Sequence, residues 1–335
     1  MNASPSPAAT WHFPRPYGLK TVAVAIAAFL LLCFTGQRIE MDRMVAMTGA
    51  AALSTVGAAP DSEVAKGIGG LASKLWPPQI SERTEVSRIE NFDPAKLPLF
   101  SYVETVETQV QTLNPETLQM ETHVERSEYL VERFGYLRHV FARMIETLEI
   151  ALWGTILAVL MGFPLALLGA RNFMPWRPLR AVAGAVVSLL RSIPEMISAL
   201  FLVLAYGFGP IAGVLALALH AAGFLGKFYA EDMENADPRP QEALIAIGAT
   251  QLKLLRHAIL PQVIPQYIAY TLYILDRNMR MATIIGLVGA GGIGQELKGR
   301  YDMYDYGHVG TILVTIFLVV LLLDRLSARL RRAAL

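Results

Sequence analysis

The chain has 335 residues, of which 54% are apolar and 17% charged, and its mean hydropathy is +0.42. Soluble proteins carry about 25% charged residues, so a deficit sustained over the whole chain excludes an ordinary water-soluble globule and points to the bilayer as solvent. The 29 basic and 28 acidic residues balance, leaving no bulk field for nucleic acid, and the single cysteine excludes an intrachain disulfide or a cysteine-cluster metal site. That residue, Cys33, lies in an apolar run and reads as a packed thiol.

A bilayer core about 30 Å thick needs roughly 20 apolar helical residues, and six windows read as spans. In chain order they are Thr21 to Gly36, Ile145 to Leu168, Ala181 to Tyr206, Ile211 to Tyr229, Ile264 to Val288 and Val309 to Leu323. The first is as short as a signal-peptide core. It reads instead as an uncleaved anchor, because Gln37-Arg38-Ile39-Glu40 lacks a small-x-small cleavage pattern. Arg171, Arg177 and Arg180 fill the link between the second and third spans, and Arg325, Arg329, Arg331 and Arg332 follow the last. Basic short loops stay in the cytoplasm, so both termini are expected there, as Arg15 and Lys20 independently favour. The expected organisation is a cytoplasmic tail over 1–20, the first span over 21–36, an outer insertion over 37–143, a membrane core over 144–324 and a basic cytoplasmic tail over 325–335.

The insertion has two textures. From Val64 the apolar residues Ile68, Leu71, Leu75 and Trp76 recur at helical spacing until Pro77-Pro78, which predicts a short helix at the membrane surface. Phe100 to Thr112 and Leu118 to Val131 are rich in Val, Thr and Tyr with imperfect alternation, and Leu113-Asn114-Pro115-Glu116-Thr117 separates them. That pattern predicts a β-hairpin, read equally well as a solvated cover or as a contact surface for an external partner.

The link between the fourth and fifth spans, over 231–262, is the most informative. It reads Gln241-Glu242-Ala243-Leu244-Ile245-Ala246-Ile247-Gly248, with Pro261 thirteen residues after the glycine in Ala258-Ile259-Leu260-Pro261. Physically this predicts a helix, a glycine turn and a second helix over Gln251 to Ile259 that the proline stops. The spacing resembles the signature loop of ABC importer permeases of the binding-protein-dependent, type I class: Glu-Ala-Ala, three residues, Gly, nine residues, Ile-x-Leu-Pro. Leu244 and Ala258 depart from it, and both keep a helix-compatible apolar side chain. The resemblance covers roughly Glu146 to Asp324 and is closest to the phosphonate transporter permease, through Leu190-Arg191-Ser192-Ile193-Pro194-Glu195, Gly213 to His220, and Gly286-Leu287-Val288-Gly289-Ala290-Gly291-Gly292-Ile293-Gly294.

The resemblance implies an all-α permease subunit with six spans, located in a bacterial inner membrane, that breaks no bond and carries no cofactor. It implies four partners for the permease: a second, identical permease protomer, a cytoplasmic ABC ATPase dimer, an extracytoplasmic substrate-binding protein and membrane lipid, with no nucleic acid. The loop would dock in the ATPase through Glu242, Ala243, Gly248, Leu252, Leu255, Leu260 and Pro261, and ATP-driven closure would switch the spans between inward and outward access. The expected substrate is a phosphonate or related small phosphorus oxyanion. Phosphate, phosphite or an amino acid is the alternative within the class, and a membrane receptor or scaffold the alternative outside it.

Gly289-Ala290-Gly291-Gly292-Ile293-Gly294 also satisfies the dinucleotide pattern G-x-G-x-x-G. No acidic residue occurs from Gly307 through Leu323, about 20 positions on, where such a fold needs one, and no phosphate-loop motif occurs anywhere. Gly286, Gly289, Gly291, Gly292 and Gly294 are expected instead to form a bend at the outer mouth of the pathway. Charged residues within spans are costly unless paired or facing a cavity. Arg277, Arg280, Asp276, Arg191 and Glu195 are therefore candidates for the translocation pathway: Asp276 and Arg280 are four apart and can pair, Arg277 and Arg280 can converge on one anion, and Arg191 and Glu195, also four apart, read as a gate or packing pair. His220 stands alone on an apolar helix and reads as a core histidine.

Overall fold

The computed structural model describes residues 18–55, 62–90, 92–94, 96–113 and 120–334. The expected hairpin turn at Asn114 and most of the expected N-terminal tail lie outside these residues. Two compact units divide at Ser73 and Lys74.

The first unit holds α1 (Leu19–Arg38), α2 (Met41–Thr55) and most of α3 (Glu63–Leu75). Helix α1 is long and apolar enough to cross a membrane. Helix α2 was not expected; it begins just after Glu40, which takes φ +54° to turn the chain out of α1. Helix α3 matches the periodicity read from Val64 onward.

In the second unit, strands β1 (Glu82–Glu85), β2 (Ser101–Leu113) and β3 (Met120–Glu132) form an antiparallel sheet in the order β1-β3-β2. The expected hairpin is β2 and β3, with Ser101 opposite Glu132 and Leu113 opposite Met120. Strand β1 is an addition, with Glu82 opposite Glu132.

The helical core begins with α4 (Gly135–Gly169), whose 35 residues reach about 52 Å at 1.5 Å per residue. One face carries Ala151, Gly154, Thr155, Ala158, Gly162 and Ala166, all buried, at the three- and four-residue spacing of a helix seam. It packs on α7 (Pro210–Asn235) so closely that a Cβ on Gly154 would lie 2.9 Å from Leu217 Cβ and one on Gly162 3.1 Å from Leu225 Cβ. Small residues permit this approach in lipid, where packing rather than the hydrophobic effect drives helix association.

The window from Ala181 to Tyr206 is not one straight span. It is α5 (Arg177–Ser192) and α6 (Glu195–Tyr206), which meet at 91°. Pro194 disfavours helical geometry at the preceding residue, and Ile193 is extended at φ −86°, ψ 121°. Counting this pair as one broken span, the described residues hold five continuous candidate spans and this sixth.

The proline stop expected at Pro261 is also corrected. After α8 (Pro238–Ala246) and the single turn α9 (Gln251–Leu254), residues Leu255–Ile259 form a wide π turn that runs directly into α10 (Leu260–Gly286). Pro261 falls in the first turn of α10, where an absent N–H costs little, and Gln262 Nε2 donates to the Ala258 carbonyl at 2.6 Å. The chain closes with α11 (Gly292–Asp302) and α12 (Tyr306–Ala334).

Candidate functional site

Helix α8 starts with an N-cap, Asp237, whose side chain accepts from Arg239 N at 3.0 Å, while Asp237 N donates to Gln262 Oε1 at 2.9 Å and so ties the helix to α10. It ends in a Schellman motif: Ala249 N donates to Leu244 O at 3.0 Å and Gly248 N to Ile245 O at 2.9 Å, with Gly248 at φ +76°. Only glycine adopts that conformation without strain, which explains the glycine of the motif. Glu242, Ala243, Gly248 and Leu252 are exposed. Leu255 is buried, and Leu260 packs against the core formed by Tyr229, Met233, Leu254, Ile259 and Val263. These two leucines hold the hairpin in place from below and are not part of its outer surface. The sequence reading did not single out Ile245 and Ile247, which are 60% and 78% exposed beside Leu252 at 71%. These three aliphatic side chains form an uncovered apolar face on one helical hairpin.

The arginines behind the expected orientation lie at this same end. Arg171, Arg177 and Arg180 line a cleft of about 450 Å³ with Lys227, Glu231 and Glu234, and Arg171 N donates to Glu234 Oε1 at 2.8 Å.

At the opposite end of α10 the glycines form the turn into α11. Gly291 and Gly292 sit at φ +84° and +71°, and Gly292 N and Ile293 N donate to Glu146 Oε1 (3.2 Å) and Thr147 Oγ1 (2.8 Å) of α4. A Cβ at Gly286 would lie 2.6 Å from Gly291 O, and one at Gly294 would overlap the Thr283 carbonyl. Gly289 lies against the Phe208 ring, and its carbonyl accepts from Gly209 N at 3.0 Å. The segment preceding these glycines is the end of a helix, so the strand-turn-helix context of a dinucleotide fold is missing.

The charged residues within the spans pair differently from the sequence expectation. Asp276 and Arg280 do pair, at 2.8 Å, and Arg280 also reaches Asp324 of α12 at 3.0 Å. Arg277 turns away to Glu195 and to His220 Nε2 (3.1 Å), so the two arginines do not converge. Arg191 does not pair with Glu195, because the bend at Pro194 breaks the helix that four-residue spacing presumes. Its guanidinium lies 5.8 Å from the Phe224 ring centre, and that of Arg277 lies 5.1 Å from the same ring. His220 is not isolated either. Its Nδ1 is 2.9 Å from Ile193 O and its Nε2 3.2 Å from Glu195 Oε1. The sequence hid this cluster because Arg277 lies 57 residues from His220 and 82 from Glu195.

The family model of the "binding-protein-dependent transport system inner membrane component" matches residues 154–334, which contain the hairpin, the glycine turn and the charged cluster. The chain belongs to this family. The permease is 60% identical, over 77% of its length and 98% of the relative's, to a Stutzerimonas stutzeri protein provisionally named a phosphite transport system permease protein. It is 40% identical over 57% of its length to a phosphate-import permease protein of Mycolicibacterium smegmatis, 36% of which is covered. Among solved structures, an inward-facing MetNI methionine ABC transporter chain superimposes with TM-score 0.51 at 23% identity, covering 58% of this permease and 96% of that chain. The fold is thus that of a type I ABC importer permease, as expected. The permease is a transport subunit of the inner membrane and not an enzyme; ATP hydrolysis belongs to a separate subunit, and a substrate-binding protein is its other partner.

Proposed function

We propose that the protein is the membrane subunit of an ATP-driven importer of a small phosphorus oxyanion, with phosphite and phosphonates first. The reading rests above all on the 60% identity along nearly the whole length of the relative named for phosphite transport. Two identical copies form the path. Glu242, Ala243, Ile245, Ile247, Gly248 and Leu252 dock in the ATPase, and Leu255, Leu260 and Pro261 join that surface rigidly to α10, so that ATPase closure moves the span. The hairpin and both termini face the cytoplasm, residues 37–143 lie outside, where the binding protein delivers its load, and lipid surrounds the remaining faces. Gly286, Gly289, Gly291, Gly292 and Gly294 form the bend at the outer mouth. Asp276, Arg280 and Asp324 brace α10 to α12, which leaves Arg191, Glu195 and Arg277 as the charged residues of the path.

The test is uptake of phosphite, methylphosphonate and phosphate by cells that lack their own systems and express the chain with its ATPase and binding protein. ATP-dependent uptake of at least one is expected; uptake of none by an assembled complex overturns the oxyanion reading. Orientation is tested separately in a Cys33→Ser background. A cysteine at Asn114 should react with an impermeant thiol reagent in intact cells and one at Ala249 should not, and the reverse pattern overturns the placement of the hairpin.

A further inference from the structure

Glu195, His220 and Arg277 come from three different helices, and the first two are buried. A carbonyl oxygen can only accept, so the 2.9 Å contact to Ile193 O requires the proton of neutral His220 on Nδ1. Nε2 then carries a lone pair, and Arg277 Nη2 donates to it and to the Glu195 carboxylate at once. The Ile193 carbonyl is free for this contact only because the helix is broken there. The bend, the histidine tautomer and the direction of the guanidinium therefore form one arrangement.

Charge within the cluster is uneven. Arg277 has a carboxylate, whereas Arg191, on the same Phe224 ring, forms no ion pair among the described residues. Two guanidinium groups and one carboxylate leave a positive charge unmatched on the half-buried Arg191. Both cations are of the type whose planar fork fits two oxygens of a tetrahedral anion. Glu195 Oε1 accepts from Arg277 Nη2, so one carboxylate oxygen occupies a guanidinium donor that an oxyanion oxygen could take.

We propose that Arg191 and Arg277, on the Phe224 ring, form the oxyanion contact of the path, and that Glu195 fills it between cycles and is displaced by the arriving anion. This rests on the oxyanion reading of the preceding subsection. Displacement exchanges one charge-assisted pair for another, so the anion is held weakly and leaves readily when Glu195 returns. His220 is a positioning residue: its fixed tautomer keeps an acceptor on Arg277 and holds the guanidinium in place while Glu195 is away.

The experiment uses the full complex in vesicles, with radiolabelled phosphite uptake and phosphite-stimulated ATPase activity measured at matched membrane abundance. Arg277→Lys and Arg191→Lys should each lower uptake about tenfold or more, since a point charge replaces the fork. Glu195→Gln should lower the phosphite concentration for half-maximal ATPase stimulation about tenfold while slowing turnover, because the internal competitor is gone. His220→Ala should raise that concentration, and His220→Asn, which keeps a donor for Ile193 O and an acceptor, should recover part of the shift. The neutral double variant Glu195→Gln/Arg277→Gln separates a site from a structural ion pair. A purely structural pair predicts that uptake returns with abundance; an oxyanion contact predicts that abundance returns without uptake. Recovered uptake in the double variant, or an unshifted half-maximal concentration in Glu195→Gln, overturns the proposal. Wild-type complex that takes up no phosphorus oxyanion overturns the substrate reading instead, a distinguishable result.

Discussion

The two ends of α10 treat their surroundings in opposite ways. At the hairpin end, Ile245, Ile247 and Leu252 stand uncovered, and a Cβ on Gly248 would meet nothing within 4 Å. At the glycine end, backbone lies on backbone, and α4 supplies both the Glu146 carboxylate and the Thr147 hydroxyl to the first N–H groups of α11. The first end leaves apolar area free for contact, and the second is packed until no such area remains. Glycine occurs at both ends for different reasons: at position 248 to allow a turn, at positions 286 and 294 to allow contact.

That difference breaks most visibly under substitution of glycine by valine. Gly294→Val drives side-chain atoms into the Thr283 carbonyl and toward Gly286 Cα, 2.9 Å from an ideal Cβ, and should cost roughly 3 kcal/mol or more. Membrane abundance of the folded protein should collapse, as measured by fluorescence-detected size exclusion of a tagged chain. Gly248→Val strains one exposed turn by about 1–2 kcal/mol and meets no neighbour, so abundance should persist while uptake falls. Equal loss of abundance in the two variants would erase the distinction between turn and joint.

Next in size is the contrast within the hairpin itself. Leu255→Ala empties a site that is 5% exposed and should destabilise the protein by about 2–5 kcal/mol. Ile247→Asn alters a side chain that is 78% exposed, so stability should change by no more than about 0.5 kcal/mol. Its effect should be about tenfold weaker retention of the ATPase on affinity-purified permease, the usual scale for losing an interface anchor. Normal ATPase retention by Ile247→Asn would remove that face from the docking surface.

What could be read from the sequence depended on whether the deciding contacts were near or far along the chain. The β2–β3 hairpin and α3 follow from alternation and helical period, which are local. Strand β1 did not, because Glu82-Arg83-Thr84-Glu85 has no apolar alternation and is a strand only through its pairing with β3. The 91° bend was legible in Pro194, but the apolar runs on either side of Arg191 to Glu195 outweighed it when the window was taken as one span. Pro261 misled in the opposite direction: a proline near a helix start permits a helix as readily as a proline in its interior ends one. The hairpin motif was legible because its spacing is fixed by the helix-turn-helix geometry of one segment. The charged cluster was not, since four-residue spacing predicts partners only along one helix and Arg277 found its partners on two others.

A third contrast concerns the polar network that holds the glycine end from outside the turn. Glu296 on α11 accepts from Arg300 Nε at 2.9 Å and from Tyr136 OH at 3.2 Å, and its other oxygen lies 3.3 Å from His139 Nε2. Arg300 continues to Asp305 at 3.1 Å, and Asp305 to His308 at 2.6 Å, so α4, α11 and α12 share one polar network. Burial alone would raise the pKa of Glu296, but the hydrogen bonds and charges of Arg300 and His139 prevail and hold it below the ordinary carboxylate value. A carboxyl group with a lowered folded-state pKa stabilises the fold above its unfolded pKa and loses that contribution as pH falls through the folded value. The midpoint of thermal unfolding of the purified permease should therefore fall on acidification from neutral pH into the carboxylate range. Glu296→Gln, which removes the charge and keeps the shape, should cost roughly 1–3 kcal/mol at neutral pH and reduce the acid-dependent part of the loss. Because the network clasps α11 without entering the glycine turn, this variant should retain uptake at matched abundance. An acid profile identical in Glu296→Gln and wild type would place the stabilisation of this joint entirely in its close backbone packing, with no part carried by charge.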